Sequence, residues 1–294
     1  MAQSPSATDF ALTPLQRSEF IERGVIKLAG LIPGESVRRA REAVLAPLAR
    51  LGLWQDGAWR LDALPRPQWP ANGLKVGRKI GHNHPELAAL IATPDLLAAV
   101  DELLEGRPFD RTPPPRSRIA DGAIYPQVLF TLPNIDVWRL PQGWHTDSPR
   151  LASGASPGVQ AFALLDQLDP CGGGTLVVAG SHRFVNEGRT LRLDEIGRRL
   201  KRERFFRELM AGRGWEGGAL PKARVGEVLV EVVELTGAPG DVWLTDLRLL
   251  HCASPNASER PRMMATYRFT RADVVSEIHA AYGRTHEART EPEA

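Results

Sequence analysis

The segment Gly143-Trp144-His145-Thr146-Asp147-Ser148 carries the densest chemistry in the chain. On a strand or at its end, the two-residue side-chain period puts His145 and Asp147 on one face and sends Thr146 to the other. An imidazole and a carboxylate so placed can take two adjacent positions on one metal ion. A histidine from another strand would complete the facial set of two histidines and one carboxylate that non-haem Fe(II) oxygenases use, with three positions left open. Taken alone, a His-x-Asp triplet also describes an ordinary hydrogen-bonded surface pair.

The remaining histidines are placed unequally for that third role. His82 and His84 sit in a Pro-flanked stretch, and His279 and His286 lie close to the C-terminal end. His182 follows Gly180-Ser181 in a turn, where a capping or supporting role is expected. His251 ends the β-type run 241–250 and leads into another strand, and Arg262 follows eleven residues later. An acid that chelates a metal through one carboxylate and a neighbouring ketone needs its distal carboxylate neutralised inside a barrel, and arginine's planar fork is the best partner. On a regular strand Arg262 points inward with Met264 and Thr266; Arg260 takes its place if the register differs by two.

These side chains need a scaffold, and the composition allows one. The 294 residues are 43% hydrophobic and 24% charged, which excludes a disordered, collagen-like or coiled-coil chain. A net charge of +2, from 37 basic and 35 acidic residues, makes neither nucleic acid nor an anionic membrane the default partner. Two cysteines cannot build a disulfide framework. No leader is readable at residues 1–9, and the longest apolar stretch, 87–100, is interrupted by Pro94 and Asp95, so a cytoplasmic location is expected.

Thr13-Pro14-Leu15-Gln16 writes a capped helix start and Gly24 a stop; 25–28 reads as a strand. Over 35–51 a second helix is predicted, because Val37, Ala40, Val44, Leu45 and Leu48 recur at helical spacing before Gly52. Residues 52–81, with Trp54, Trp59 and Trp69, read as an ordered loop region, and a helix is expected over 94–105. Thereafter short β-type runs dominate: 125–132, 159–165, 174–178, 225–235, 241–244 and 263–269. Their irregular spacing predicts a sandwich or jelly roll. One helix over 193–211 interrupts them, with Ile196, Leu200, Phe205 and Leu209 on one side and arginines on the other. It reads as a solvated basic face, or as a mobile lid that attracts an anionic substrate. A single domain is expected over 1–294, comprising a helical and loop region to 120, a jelly-roll core over 121–275 with the insertion at about 190–213, and a frayed tail over 283–294.

Over most of its length the chain resembles the phytanoyl-CoA dioxygenase-like branch of the Fe(II)/2-oxoglutarate-dependent oxygenases. Residues 12–48 are similar to that family's N-terminal helix, strand and helix, and Trp144-His145-Thr146-Asp147 to its metal motif. The most specific stretch is Asp169-Pro170-Cys171-Gly172-Gly173-Gly174-Thr175-Leu176-Val177-Val178-Ala179-Gly180-Ser181-His182-Arg183. It departs from the family in Ala179, where Pro is frequent. His251 to Asn256, ending at Arg262, resembles the family's distal ligand, asparagine and 2-oxoglutarate arginine.

The resemblance implies a mainly β fold with flanking helices around a double-stranded β-helix, the jelly-roll, cupin-like core. It implies Fe(II) held by His145, Asp147 and His251 as the catalytic centre, with 2-oxoglutarate chelated to the iron and anchored by Arg262, and O2 as oxidant. Gln127 and Thr175 are candidate further contacts to the cofactor or substrate. Trp138 and Trp144 are candidate walls of the substrate cavity, and Cys252, alternating away from His251, is expected to be a small core residue. The activity implied is hydroxylation of an unactivated C–H bond of a small molecule (secondary metabolite, amino acid or acyl derivative) with release of succinate and CO2. Desaturation or ring formation are alternatives; halogenation is disfavoured, because related halogenases lack the carboxylate of Asp147. Two other readings remain: a jelly-roll binding protein without turnover, and a zinc-dependent hydrolase on the same triad, which gives Arg262 no task. Replacing Asp147 by Ala is expected to abolish turnover and leave the fold intact, as checked by product formation beside a circular dichroism melt; undiminished turnover would remove Asp147 from the ligand set.

Overall fold

A computed structural model describes residues 9–61, 84–111, 124–133, 135–213, 215 and 217–287, the last five as helix backbone. The expectations for Trp69, His82, the remainder of the loop region 62–83, residues 112–123 and the tail 288–294 lie outside the described residues.

The N-terminal unit forms as its sequence dictates. Helix α1 (Pro14–Arg23) starts at Thr13, whose hydroxyl accepts from the Gln16 N–H while the Gln16 side chain accepts from the Thr13 N–H. It stops at Gly24, which takes the left-handed conformation at φ 71°. Strand β1 (Val25–Leu28) and helix α2 (Gly34–Arg50) follow, and α2 buries Val37, Ala40, Val44, Leu45 and Leu48, the five residues its periodicity singled out. Burying each of the larger side chains contributes about 1.5–3 kcal/mol. The hairpin β2 (Trp54–Gln55) and β3 (Ala58–Trp59) stacks its two indoles edge to face at 4.9 Å. Helices α3 (Pro85–Ile91), capped by His84, and α4 (Pro94–Leu103) complete the helical layer.

The remaining elements are β4 (Gln127–Thr131), β5 (Gly158–Leu164), β6 (Thr175–Ala179), α5 (Leu193–Leu200), α6 (Arg204–Met210), β7 (Lys222–Val225), β8 (Val228–Glu234), β9 (Val242–Asp246), β10 (His251–Ala253), β11 (Arg262–Thr270) and α7 (Val275–Glu287). Two antiparallel sheets face one another, ordered β1-β9-β5-β11-β4 and β10-β6-β8-β7. Between them lies an apolar layer that includes Phe162, Leu164, Val177, Ala179, Leu235 and Met264. Helices α2, α3 and α4 cover the outer face of the five-stranded sheet, and α5 and α6 cover the outer face of the four-stranded one. This is the jelly-roll core with flanking helices that the sequence implies.

Three expectations are corrected. The run 225–235 is not one strand: Gly226, at φ 56°, lets the chain reverse between Val225 and Val228, so β7 and β8 form a hairpin. The insertion is two helices broken at 201–203, and Phe206 rather than Phe205 is buried, because the break shifts the second helix's register. The expected fray at 283 is instead helix to Glu287.

Gly24 joins two parts of the fold. Its O accepts from the Asp246 N–H, and a Cβ there would lie 2.6 Å from Nδ1 of His182. Gly24→Ala is expected to destabilise the protein by at least about 1–2 kcal/mol, the cost of a side chain in the left-handed region, as read from the urea unfolding midpoint.

Candidate metal centre

His145 and His251 exchange backbone hydrogen bonds, N to O at 2.9 Å and 2.8 Å, in an isolated antiparallel bridge. Strand β10 is itself held on β6 in the register His251 to Val177 and Ala253 to Thr175. The bridge is the local structure that the sequence reading required, although residues 143–148 add no longer strand. Each imidazole then turns the same way. Nδ1 of His145 lies 2.8 Å from the Gly143 carbonyl and Nδ1 of His251 lies 3.0 Å from that of Leu249. A carbonyl can only accept, so both Nδ1 atoms carry the proton and both Nε2 atoms offer a lone pair.

Those lone pairs converge on Asp147. Nε2 of His145 is 3.8 Å from Oδ1 and Nε2 of His251 is 3.4 Å from Oδ2. One ligand atom from each of the three residues lies within 4.8 Å of the others, the only such set of three among the described residues. Burial pushes the Asp147 carboxyl up, but the hydrogen bond and charge of His251 while its Nε2 still carries the proton that a metal ion would displace, together with the charge of Arg268, outweigh it and hold the group well below the usual carboxylate range. The carboxylate is therefore ionised, as a metal ligand must be.

Along β11 the side chains of Arg262, Met264, Thr266 and Arg268 share the face toward the barrel interior, the direction expected for Arg262. Arg262 is buried. Its Nη1 donates to the Gly173 carbonyl and Nη2 to the Thr131 hydroxyl, both at 2.7 Å, while Nε has no partner among the described residues. Burial pushes its pKa down to about 10, opposed by the charge of Glu234. Its bonded oxygens are neutral, so this buried guanidinium is poised for a carboxylate. Arg260, the alternative anchor, instead has its carbonyl bound by the Asn256 amide.

Asn256, fully buried, makes the turn that delivers Arg262. Its Nδ2 donates to the Thr131 and Arg260 carbonyls and its Oδ1 accepts from the Ser258 N–H and hydroxyl. Gln127 and Thr175 both lie on inward-facing rows, beside Leu129 and Thr131 and beside Val177 and Ala179 respectively; Gln127 is exposed at the barrel mouth and Thr175 is buried. Trp144 lines a cavity of about 310 Å³ beside His145 and Asp147. Trp138 does not: its indole stacks on Trp215, donates to Ser254 and belongs to the apolar layer under α5 and α6. His182 is no neighbour of the centre either; its Nε2 meets the Ile21 carbonyl. Cys252 is buried, and its thiol is pushed up to about 11 by that burial.

Some contributors escaped the sequence reading. Arg268 donates through Nε to Oδ2 of Asp147 at 2.8 Å and through Nη2 to the same oxygen; its place six residues beyond Arg262 on one strand face was a usable signal. Glu234 accepts from the N–H groups of Cys171 and Gly174 and so holds the turn whose carbonyl meets Arg262. Tyr282 of α7 donates to the Asp147 carbonyl at 2.6 Å. The cavity is roofed by Leu193, Ile196 and Leu200 of α5 and by Met210. The insertion's apolar side thus faces the centre and its arginines face solvent, where several pair with acids of their own neighbourhood.

Comparison with known proteins agrees with this geometry. The family described as phytanoyl-CoA dioxygenase (PhyH) matches residues 20–264. No protein of curated function matches the sequence. Solved structures of similar fold include the non-heme α-ketoglutarate-dependent carbocyclase SnoK from nogalamycin biosynthesis, 17% identical, covering 92% of this chain and 88% of its own, at a TM-score of 0.53. EctD from S. alaskensis, with 2-oxoglutarate and 5-hydroxyectoine, is 19% identical over 92% of this chain and 80% of its own, at 0.51. HygX from Streptomyces hygroscopicus, with nickel and 2-oxoglutarate bound, is 17% identical over 89% and 88%, at 0.51. At these identities the likeness is one of fold. Asn256→Ala removes the hydrogen bonds that this fully buried amide makes to the Thr131 and Arg260 carbonyls and to Ser258 and is expected to cost about 2 kcal/mol of stability, as measured by denaturant unfolding.

Proposed function

The chain belongs to the phytanoyl-CoA dioxygenase family, and on that footing we propose that it hydroxylates an unactivated C–H bond of a small molecule, with release of succinate and CO2. Iron and 2-oxoglutarate are its cofactors. The observation that carries the reading is the convergence of the His145, Asp147 and His251 ligand atoms within 4.8 Å of one another. Two neutral imidazole nitrogens and one carboxylate on one side of an ion leave the other positions open, and such a donor set suits ferrous iron. When bound, iron and 2-oxoglutarate supply the O2-dependent oxidising chemistry.

The chain's own residues divide the remaining work. Gly143 and Leu249 hold the two imidazoles in the tautomer that binds a metal through Nε2. Arg262 takes the distal carboxylate of 2-oxoglutarate, replacing a buried guanidinium bonded to neutral oxygens by a charge pair. Gln127 and Thr175 line the inward rows on either side of that path, and Trp144 and the apolar side of α5 shape the pocket and exclude water from it. A cavity of about 310 Å³ suits a small substrate or one end of a larger one. A zinc-dependent hydrolase would leave the buried Arg262 without a task. No helix among the described residues is long and apolar enough to cross a membrane.

Supplied with Fe(II), ascorbate and 2-oxoglutarate, the purified protein is expected to release succinate, more so with substrate present; a non-catalytic binding domain or a hydrolase releases none. Arg262→Met is expected to raise the KM for 2-oxoglutarate by about 10- to 100-fold, the loss of a charge-assisted pair, with a smaller change in kcat at saturation. An unchanged KM would remove Arg262 from the anchor role.

A further inference from the structure

Helix α5 carries a glycine where its pattern calls for a large apolar side chain. Leu193, Ile196, Gly197 and Leu200 stand at i, i+3, i+4 and i+7, the stripe that roofs the cavity of about 310 Å³ beside the metal centre. Glycine is the least favourable residue of a helix interior after proline, because it gives up the most backbone freedom on folding and packs nothing. Neither conformation nor packing demands it here. Its backbone is ordinary helix, and among the described residues outside that helix the one atom a Cβ would meet is Cε of Met210, at 4.0 Å. At Gly180, by contrast, a Cβ would lie 2.6 Å from the Leu229 carbonyl oxygen. What Gly197 provides is space: a notch in the roof, walled by Leu193, Ile196, Leu200 and the flexible thioether of Met210.

The surroundings of the notch select what can fill it. Among the described residues on the cavity lining Asp147 is the one charged side chain, and it belongs to the metal. Arg268, outside that lining, is bonded to Asp147. The polar ends of the two aromatic walls are turned to backbone: Nε1 of Trp144 donates to the Pro141 carbonyl and the Tyr282 hydroxyl to that of Asp147. Leu193 and Tyr282 also line a second cavity, of about 170 Å³, where Arg192 and Asp194 stand 3.3 Å apart and neutralise one another. A charged group brought under α5 would lose its hydration and gain no counter-charge.

We propose that Gly197 is a specificity-determining residue of this cavity, and that the substrate is a neutral, predominantly apolar small molecule that seats an alkyl or ring edge in the notch. The inference rests on the oxygenase reading and narrows its substrate: a free amino acid, with two charges, has no place under α5. The helix gives up the stability that alanine would add, and the substrate occupies the room so left.

The test pairs stability with binding on the full-length protein. Gly197→Ala is expected to melt about 2 °C above the wild type, the gain of alanine over glycine inside a helix of a chain this size. Binding is read by calorimetry on protein loaded with 2-oxoglutarate and Mn(II), a redox-stable ion for a ferrous site. The probes are 1-naphthalenemethanol and 1-naphthalenesulfonate, which share a ring system and differ in charge, the sulfonate being a poor metal ligand. The wild type is expected to bind the alcohol about 10-fold or more tightly than the sulfonate. Affinity for the alcohol is expected to fall about 3- to 5-fold in Gly197→Ala and about 10-fold or more in Gly197→Leu. Adding Met210→Ala to Gly197→Leu returns space to the notch and should restore binding. Four outcomes overturn the proposal: a Gly197→Ala variant less stable than the wild type, equal affinity for the two probes, no binding of the alcohol by the wild type, or wild-type affinity in Gly197→Leu. Seen on protein that binds Mn(II) and 2-oxoglutarate, they remove this inference alone; a wild type that binds neither brings down the oxygenase reading and the inference with it.

Discussion

Two backbone hydrogen bonds, exchanged between His145 and His251, hold the centre together. They join parts of the chain separated by more than a hundred residues and set His251 against His145. The entropy of closing so long a loop is recovered elsewhere, in the two sheets that bring the segments side by side. The bridge then sets both the spacing and the tilt of the imidazoles, whose rings stand 4.4 Å apart at 54°. Asp147 enters because it is two residues on from one of the bridged histidines. The tautomers follow from the same backbone, since the carbonyls two residues before each histidine engage its Nδ1.

Charge burial is the second constraint. A guanidinium buried among neutral acceptors is costly, and Arg262 is in that condition, eased only by the field of Glu234. Glu234 is in turn pushed up by its own burial, against the N–H groups and the Arg262 charge that draw it down. The two do not form a close ion pair, so each keeps its separate work: Glu234 shapes the glycine-rich turn at 171–174 and Arg262 faces the interior. A tight pair between them would be the more stable core and the poorer anion site. Asp147 is treated differently: two histidines and Arg268 surround it, and it remains an anion at the edge of solvent.

The roof over the centre depends on elements that carry none of its ligands. Helices α5 and α6 pack on the outer face of the four-stranded sheet, yet their near end reaches over the cavity. Helix α7 connects that roof to the metal loop: Glu277 accepts from the Ala152 N–H and from the Thr190 hydroxyl at the base of the insertion, and Tyr282 bonds the Asp147 carbonyl. A bridge between Arg150 and Leu191 adds a second tie between the same segments. Pocket shape is thereby coupled to the position of Asp147 through backbone contacts rather than through the ligands themselves.

The helix of 14–23, its Gly24 stop, the five buried residues of α2 and the identity of three converging donor side chains were all readable in the residues, as was the inward direction of Arg262. Each rests on a local rule: a cap, a 3.6-residue or two-residue period, or the chemistry of a donor type. The same local logic misplaced Trp138, because an indole near a metal motif says nothing of which distant residues will enclose it; its partners, Ser254 and Trp215, are far away in sequence. It also ran two strands and two helices together where Gly226 and residues 201–203 interrupt them. Arg268, Glu234 and Tyr282 came to light only in the folded chain. Which residues are candidate ligands was written locally, because donor chemistry depends on side-chain type and, for His145 and Asp147, on spacing along the chain. How those ligands are charged, roofed and counterbalanced was decided by packing between elements far apart in the chain, since electrostatics and burial depend on distance in space and not on position in the sequence.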